Sequence, residues 1–240
     1  TVSSDIDAAE LDKQLKIYNA FQYERVGLNL RPELLVVKDA GGADAFAATA
    51  EKIAKESEFN LVLMTEDLDA MKAAVEKTAF KRPLLYAATE ANADDMGALA
   101  KDNDLPLAVK ADSVDALQPL TEKLTGMGLK DLVIDTGARE IKQALEDQVA
   151  IRRAALKASN KALGFPTITF PCEMASNLDM ETMIASMFVA KYGGIVVMSD
   201  FSAESLFPLL LERLNIFTDP QRPMTVTEGI FEIGNPDENS

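Results

Sequence analysis

The sequence predicts an α/β fold, a TIM-type (β/α)8 barrel with an N-terminal helix at its start. Three observations carry this. Seven short apolar runs each end in polar or acidic residues, and a helical pattern follows each run. The runs recur roughly every 22 to 35 residues, the length of a strand, a helix and the right-handed crossover between parallel strands. Apolar runs without in-out alternation suit a parallel sheet covered on both faces. Seven such units in a row favour a closed barrel over an open doubly wound sheet of about five or six strands.

Residues 5–24 place Leu11, Leu15, Tyr18 and Phe21 at helical spacing behind Asp7, an N-cap candidate. They read as a leading helix, able to lie beneath the barrel. The seven runs are LLVVKD (34–39), LVLMTED (61–67), LLYAATE (84–90), LAVKAD (107–112), LVIDT (132–136), TITFPCE (167–173) and IVVMSD (195–200). The helical pattern over 43–58 opens after Gly41 and Gly42 and turns Phe46, Ala50 and Ile53 to one face; that over 67–81 turns in Leu68, Met71 and Val75. A weaker pattern covers 91–104. Ser113 is the N-cap candidate of a helix over 113–128, and the longest pattern, 139–164, stops at Gly164. Residues 179–193 end at Gly193-Gly194, and 202–215 start at Ser202 and contain Pro208, where a kink is expected. The eighth strand is expected at TVTEGIFEIG (225–234), with the last βα unit left open as complete or incomplete. The barrel domain is thus expected over 1–234, and the polar, turn-rich NPDENS (235–240) as a linker toward a further domain.

At 240 residues and 48% apolar composition the chain can bury a core of several strands and helices. No run approaches the roughly 18 apolar residues of a membrane span, so no membrane partner is expected. A formal net charge of -15 repels a phosphate backbone, which argues against nucleic acid. One cysteine, Cys172, excludes an internal disulfide, and a cytoplasmic location is expected. The chain has no histidine. It therefore cannot supply a Ser-His-Asp triad, a His-ligated zinc or an axial histidine, and one thiol is too few for an iron-sulfur cluster. Carboxylate, lysine, hydroxyl and backbone chemistry remain.

Strand C-termini meet at one mouth in such a barrel, which would gather Lys38, Asp39, Glu66, Asp67, Glu90, Lys110, Asp112, Asp135, Glu173 and Asp200. These could accept protons or hold a cation, but acids after strands more often cap the next helix. Asp135, Thr136, Glu173 and Asp200 are the mouth candidates for cofactor or ligand binding, because Gly137 after Thr136 permits close backbone approach; no residue is assigned a catalytic or metal-binding role. Met180, Met183 and Met187 fall at i, i+3, i+7 and read as core, with Met174 and Met198 nearby in sequence. Arg152, Arg153, Lys157 and Lys161 read as a complement to the helix macrodipole, with a docking patch for an acidic partner as the alternative. Cys172 has no basic neighbour to activate it and reads as an inert thiol.

GLNLRPELLVVKDAGGADAFAATAEKI (27–53), KDLVIDTGAREI (130–141), LGFPTITFP (163–171) and IASMFVAKYGGIVVMSD (184–200) together resemble the large (gamma) subunit of the corrinoid iron-sulfur protein of the acetyl-CoA synthase/carbon monoxide dehydrogenase system. The resemblance covers essentially the whole chain. It implies the central barrel of a three-part subunit, between a four-cysteine [4Fe-4S] domain and a cobalamin-binding domain, with both cofactors outside this segment. It also implies a role as scaffold barrel of a methyl carrier, one component of a methyltransferase system, that moves a methyl group from methyltetrahydropterin to acetyl-CoA synthase. The implied partners are a small corrinoid-protein subunit in a heterodimer, the methyltetrahydropterin methyltransferase, acetyl-CoA synthase and a reductive activator. The rival reading is a stand-alone barrel enzyme, a pterin-dependent methyltransferase or a lyase, working through the mouth carboxylates Asp135, Glu173 and Asp200.

Overall fold

The computed structural model describes residues 1–25 and 27–216. The expected eighth strand at 225–234 and the linker at 235–240 lie outside these residues. Within them the chain already supplies eight parallel strands, because a strand invisible to the hydrophobic pattern opens the barrel. Strand β1 is only Val2–Ser3, too short and too polar to register as an apolar run. It is followed by α1 (Ala8–Ala20), an antiparallel hairpin of β2 (Tyr23–Arg25) and β3 (Leu28–Leu30), and then β4 (Leu34–Lys38). Because β1 pairs in parallel with β4, at Val2↔Val37 and Ser3↔Lys38, α1 is the first crossover helix rather than a leader in front of the barrel.

Regular βα units follow. They are α2 (Ala43–Glu56), β5 (Asn60–Met64), α3 (Leu68–Thr78), β6 (Leu84–Ala88), α4 (Ala93–Asp102), β7 (Leu107–Lys110), α5 (Val114–Gly126), β8 (Leu132–Asp135) and α6 (Ile141–Lys157). Two short strands, β9 (Ile168–Thr169) and β10 (Ile195–Val196), lead into α7 (Leu178–Ala190) and α8 (Ala203–Ile216). The sheet order is β1-β4-β5-β6-β7-β8, and β9 pairs in parallel with β10. A bridge from Ile134 to Thr167 joins the two sheets. Among the described residues the wall closes where Thr1 meets the segment just after β10: its main-chain nitrogen and its hydroxyl both donate to the Met198 carbonyl, at 3.2 and 2.9 Å.

Alternation along the strands fills two layers. Leu35, Val37, Leu61, Leu63, Leu85 and Leu107 face outward onto Phe46, Ile53, Met71, Met96 and Leu117 of the helices. Val36, Val62, Tyr86, Val133, Phe170 and Val197 fill the barrel interior, and Ala87 and Ala108 leave room for the two rings. Tyr86 and Phe170 meet edge to face with centroids 5.2 Å apart.

The cap chemistry matches the expectation at three helices. Asp7 accepts from the Ala9 and Glu10 amides, Asp67 from those of Asp69 and Ala70, and Ser113 from that of Ala116. At α8 the Ser202 hydroxyl instead donates to Glu204, and the helix runs through Pro208. The long pattern over 139–164 splits: α6 ends at Lys157, Ser159 takes a left-handed φ of 53°, and a 3-10 turn covers Lys161–Leu163. The methionine stripe of α7 corrects the core expectation. Met180 and Met183 are 45% and 68% exposed, and the buried face is Glu181, Ile184, Ala185 and Phe188. Glu181 tolerates burial because its carboxylate accepts both the Ser199 amide and the Ser199 hydroxyl, each at 2.6 Å.

Candidate functional site

A dense polar cluster in the barrel interior is built around Asp135, the last residue of β8, opposite Lys110 of β7. Its side chain is 3% exposed. A buried carboxylate is tolerated only when donors satisfy it. Four do so here. Oδ2 accepts the Tyr86 phenol at 2.5 Å and Arg139 Nη2 at 2.9 Å; Oδ1 accepts the Gly137 amide at 2.9 Å and Arg139 Nη1 at 3.2 Å. Arg139 also donates from Nη2 to the Tyr86 oxygen at 3.2 Å and from Nε to Glu173, and its guanidinium lies 4.4 Å above the Phe170 ring.

Burial pushes the Tyr86 phenol far up, and the Asp135 charge adds to the rise. Burial by itself would lower the Arg139 guanidinium, but the hydrogen bond to Asp135 and the charge of that carboxylate outweigh it and raise the group. Both donors stay protonated across neutral pH. With the donors fixed and both carboxylate oxygens occupied, the cluster is an anchored ion pair that plugs the barrel beneath its mouth.

The candidate residues divide accordingly. Asp135 and Glu173 are brought together through Arg139. Thr136 is buried beside them, its hydroxyl accepting the Ala138 amide at 3.4 Å. Asp200 stands apart on the β10–α8 turn, where it accepts the Phe201 amide at 2.7 Å. Asp135 does not cap α6, whose N-cap is Glu140; its carboxylate accepts from Tyr86, Gly137 and Arg139 instead. Gly137 does make a close approach, but to protein. At φ +72° its Cβ position would lie 2.7 Å from the Ala111 carbonyl oxygen, so the glycine seats this loop on the end of β7.

The other mouth residues serve local structure. Asp39 accepts the Thr65 hydroxyl and the Gly42 amide, Glu66 pairs with Lys110 at 3.3 Å, and Asp67 caps α3. Lys38, Glu90 and Asp112 are exposed. Cys172 is half-buried, and burial together with the Glu173 and Glu181 charges pushes its thiol up to about 11, in keeping with an inert thiol. Arg152, Arg153, Lys157 and Lys161 are exposed and make no ion pair among the described residues. Sequence reasoning missed Tyr86, Arg139 and Phe170. The available signals were a tyrosine alone in an apolar strand and an arginine one helical turn after the Asp135 strand end.

A cavity of about 630 Å³ lies elsewhere, in the barrel wall between β4 and β10, with α8 over it. Among the described residues no group of three or more His, Cys, Asp or Glu side chains is placed to hold a metal ion.

A family model described as CO dehydrogenase/acetyl-CoA synthase delta subunit matches residues 2–240. The corrinoid/iron-sulfur protein large subunit of Moorella thermoacetica is 40% identical over the whole chain, which covers 53% of that protein. The acetyl-CoA decarbonylase/synthase complex subunit gamma of Methanopyrus kandleri is 32% identical over the whole chain and 54% of its own length. The chain thus spans about half the length of the curated relatives it matches. Among solved structures, 7,8-dihydropteroate synthase from Vibrio fischeri superposes with a TM-score of 0.65 at 12% identity, covering 92% of each chain; at that identity it shows the barrel fold alone.

Proposed function

Because the chain belongs to the family described as CO dehydrogenase/acetyl-CoA synthase delta subunit, we propose that it is the scaffold barrel of a corrinoid iron-sulfur methyl carrier. In that role it is a non-catalytic segment of a methyltransferase component that takes a methyl group from methyltetrahydropterin and delivers it to acetyl-CoA synthase. The observation that carries the scaffold role is the plug itself. Asp135, which the enzyme reading needs as a working acid or base, is saturated by Tyr86, Gly137 and Arg139, and Glu173 is held by the same arginine.

The residues present do not fit either cofactor named for the Moorella relative. An iron-sulfur cluster needs several thiolates, and Cys172 is single and held as a thiol. The barrel interior beneath the mouth, where a corrinoid would need space, is occupied by Phe170, Tyr86 and Arg139. We assign both groups to the remaining half of the longer protein. The chain's contribution is then mechanical: a close-packed body that resists deformation and holds its neighbours at fixed attachment points. A small corrinoid-protein subunit, the methyltetrahydropterin methyltransferase, acetyl-CoA synthase and a reductive activator are the partners this role calls for. No described helix is long and apolar enough to cross a membrane, and a cytoplasmic carrier is the reading adopted.

The test uses the full-length carrier with Asp135→Asn and Glu173→Gln, assayed for methyl uptake from methyltetrahydropterin. A scaffold loses less than about threefold in kcat/KM when the fold is kept. A loss beyond about a hundredfold in a folded variant is the size expected on removing a general acid or base, and it would establish the stand-alone enzyme in its place.

A further inference from the structure

The chain's 39 aspartates and glutamates are spread along nearly its whole length, yet residues 148–172 and 182–199 hold none, and these are its two longest acid-free stretches. The fold makes them neighbours. The first takes in the second half of α6 and the second most of α7, consecutive helices of the outer layer whose buried Ala144, Ile184 and Phe188 form one cluster. Five cations lie in them, Arg152, Arg153, Lys157, Lys161 and Lys191. Elsewhere exposed cations find acids: Lys55 pairs with Glu51 at 2.6 Å, Arg82 with Asp131 at 2.6 Å and Lys123 with Asp94 at 2.8 Å. Among the described residues none of the five does so, and Lys191 rests over the Tyr192 ring at 5.8 Å.

Between the two helices the surface is apolar. The right-handed crossover puts α7 on the side of α6 that carries Ile141, Leu145 and Leu156, and puts α6 on the side of α7 that carries Met180, Met183 and Met187. Ile141, Leu156, Met180 and Met183 are 37%, 63%, 45% and 68% exposed, so the two rows flank an open groove instead of packing closed. Rows of leucine and methionine of this kind accept the apolar face of a helix. Charge runs along the groove as well. Both helices lead away from the barrel mouth, so Glu140 and Asp179 stand at its upper end and Arg152, Arg153, Lys157 and Lys191 toward its lower end.

We propose that this groove docks an amphipathic helix of a partner protein, lying antiparallel to α6 and α7, with carboxylates in its first turn and aliphatic side chains at i, i+3 or i+4, and i+7. Charge complementarity carries the assignment. In a chain of net charge -15, a surface that gathers unpaired cations and excludes carboxylates selects an acidic occupant. The direction follows from the same charges. An acidic first turn at the lower end meets Arg152, Arg153 and Lys157, and the partner's macrodipole then opposes those of α6 and α7. The length follows from α6, whose 17 residues span about 25 Å, so a partner helix of about four turns fills the groove. Nucleic acid and anionic membranes would meet the same cations, but the net charge repels both.

The choice of partner rests on the proposed function, which calls for four proteins, and the test titrates the full-length carrier with each of them by surface plasmon resonance. Leu156→Asp with Met183→Asp should weaken one of the four at least about a hundredfold, and Arg153→Glu with Lys157→Glu should weaken the same one at least about tenfold. All four side chains are exposed, so melting temperatures should stay within about 2 °C of the parent; Leu156→Gln with Met183→Gln replaces the aspartate pair if it melts lower. Affinities within about threefold of the parent for all four would overturn the groove and leave the carrier reading standing, as would a loss in the charge variant alone. A parent carrier that binds none of the four would sink the carrier reading, and the partner assignment with it. In a Cys172→Ser background, Met183→Cys should react with iodoacetamide at the rate of an exposed thiol in the carrier alone and slow at least about tenfold once the partner is bound. Slow reaction without the partner would overturn the proposal, because the groove would already be filled. Binding to vesicles of one part phosphatidylglycerol to three parts phosphatidylcholine, lost in the same variants, would also overturn it and give the face to a lipid surface.

Discussion

Arg139→Met removes the cation from the barrel plug and leaves Asp135 buried with two of its four donor contacts. Separating a buried ion pair by deleting one partner costs about 3–5 kcal/mol, because the survivor is left charged and desolvated. Arg139 is 26% exposed against 3% for Asp135, and solvent on the arginine side discounts this to about 2–3 kcal/mol. The lost contact over Phe170 is part of the same change. The stronger expectation concerns the double variant. Asp135→Asn together with Arg139→Met leaves a neutral amide whose oxygen can still accept the Gly137 amide and whose NH2 can donate to the Tyr86 oxygen, so it should cost about 1–2 kcal/mol relative to the parent, less than the single arginine change. Urea unfolding followed by far-UV circular dichroism measures all four corners of this cycle. A single-variant cost below about 0.5 kcal/mol, or a double variant no more stable than Arg139→Met, would refute the anchored-pair account.

Three other outcomes are expected. Gly137→Ala should destabilise by about 2–3 kcal/mol, because it adds a side chain at φ +72° and 2.7 Å from the Ala111 carbonyl oxygen. Gly128→Ala, at φ +97° with only the flexible Lys101 side chain near the added Cβ, at 4.0 Å, should cost nearer 1 kcal/mol; equal costs in thermal melts would remove the packing argument. Cys172, pushed up to about 11 from 9.0, should be about one part in a thousand thiolate at pH 8 and alkylate correspondingly slowly. A thiol whose folded pKa is raised contributes stability that is complete below its unfolded pKa and lost as pH climbs through about 11. Rapid reaction with iodoacetamide at pH 8 would contradict this. Arg152→Glu with Arg153→Glu, both exposed, should leave the melting temperature within about 2 °C; if this helix face is the docking patch for an acidic partner, association with that partner should weaken at least about tenfold in surface plasmon resonance. Unchanged binding removes that helix face as its docking patch.

The strands were legible because each central one is a run of buried apolar residues with one dominant period, and five of the seven, β4 to β8, form strands of four or five residues. The opening strand was not, since Val2–Ser3 takes its identity from pairing with Val37 and Lys38 rather than from hydrophobic content. Without that pairing α1 reads as a leader in front of the barrel. The methionines of α7 show a second limit. A spacing of i, i+3, i+7 defines a helix face but not which face turns inward, and Glu181 could be chosen for the core only because Ser199, eighteen residues away, supplies two donors. The cluster at Asp135 fell between the two for the same reason. The acid at the strand end was visible, but its partners Tyr86 and Phe170 arrive from other strands, and only tertiary structure brings them to Arg139.

The closure at Met198 has a dynamic consequence. Among the described residues this side of the barrel wall is joined by one carbonyl accepting two bonds from Thr1, and the lowest free-energy opening fluctuation of a cooperative structure starts where the fewest bonds must break. Among the described residues, the expected first opening is therefore between β1 and the segment after β10, and the strands from β4 through β8, each paired with the next, are expected to open later. Helix α8 lies beside this seam, its Arg213 paired with Glu33 at 3.1 Å just before β4.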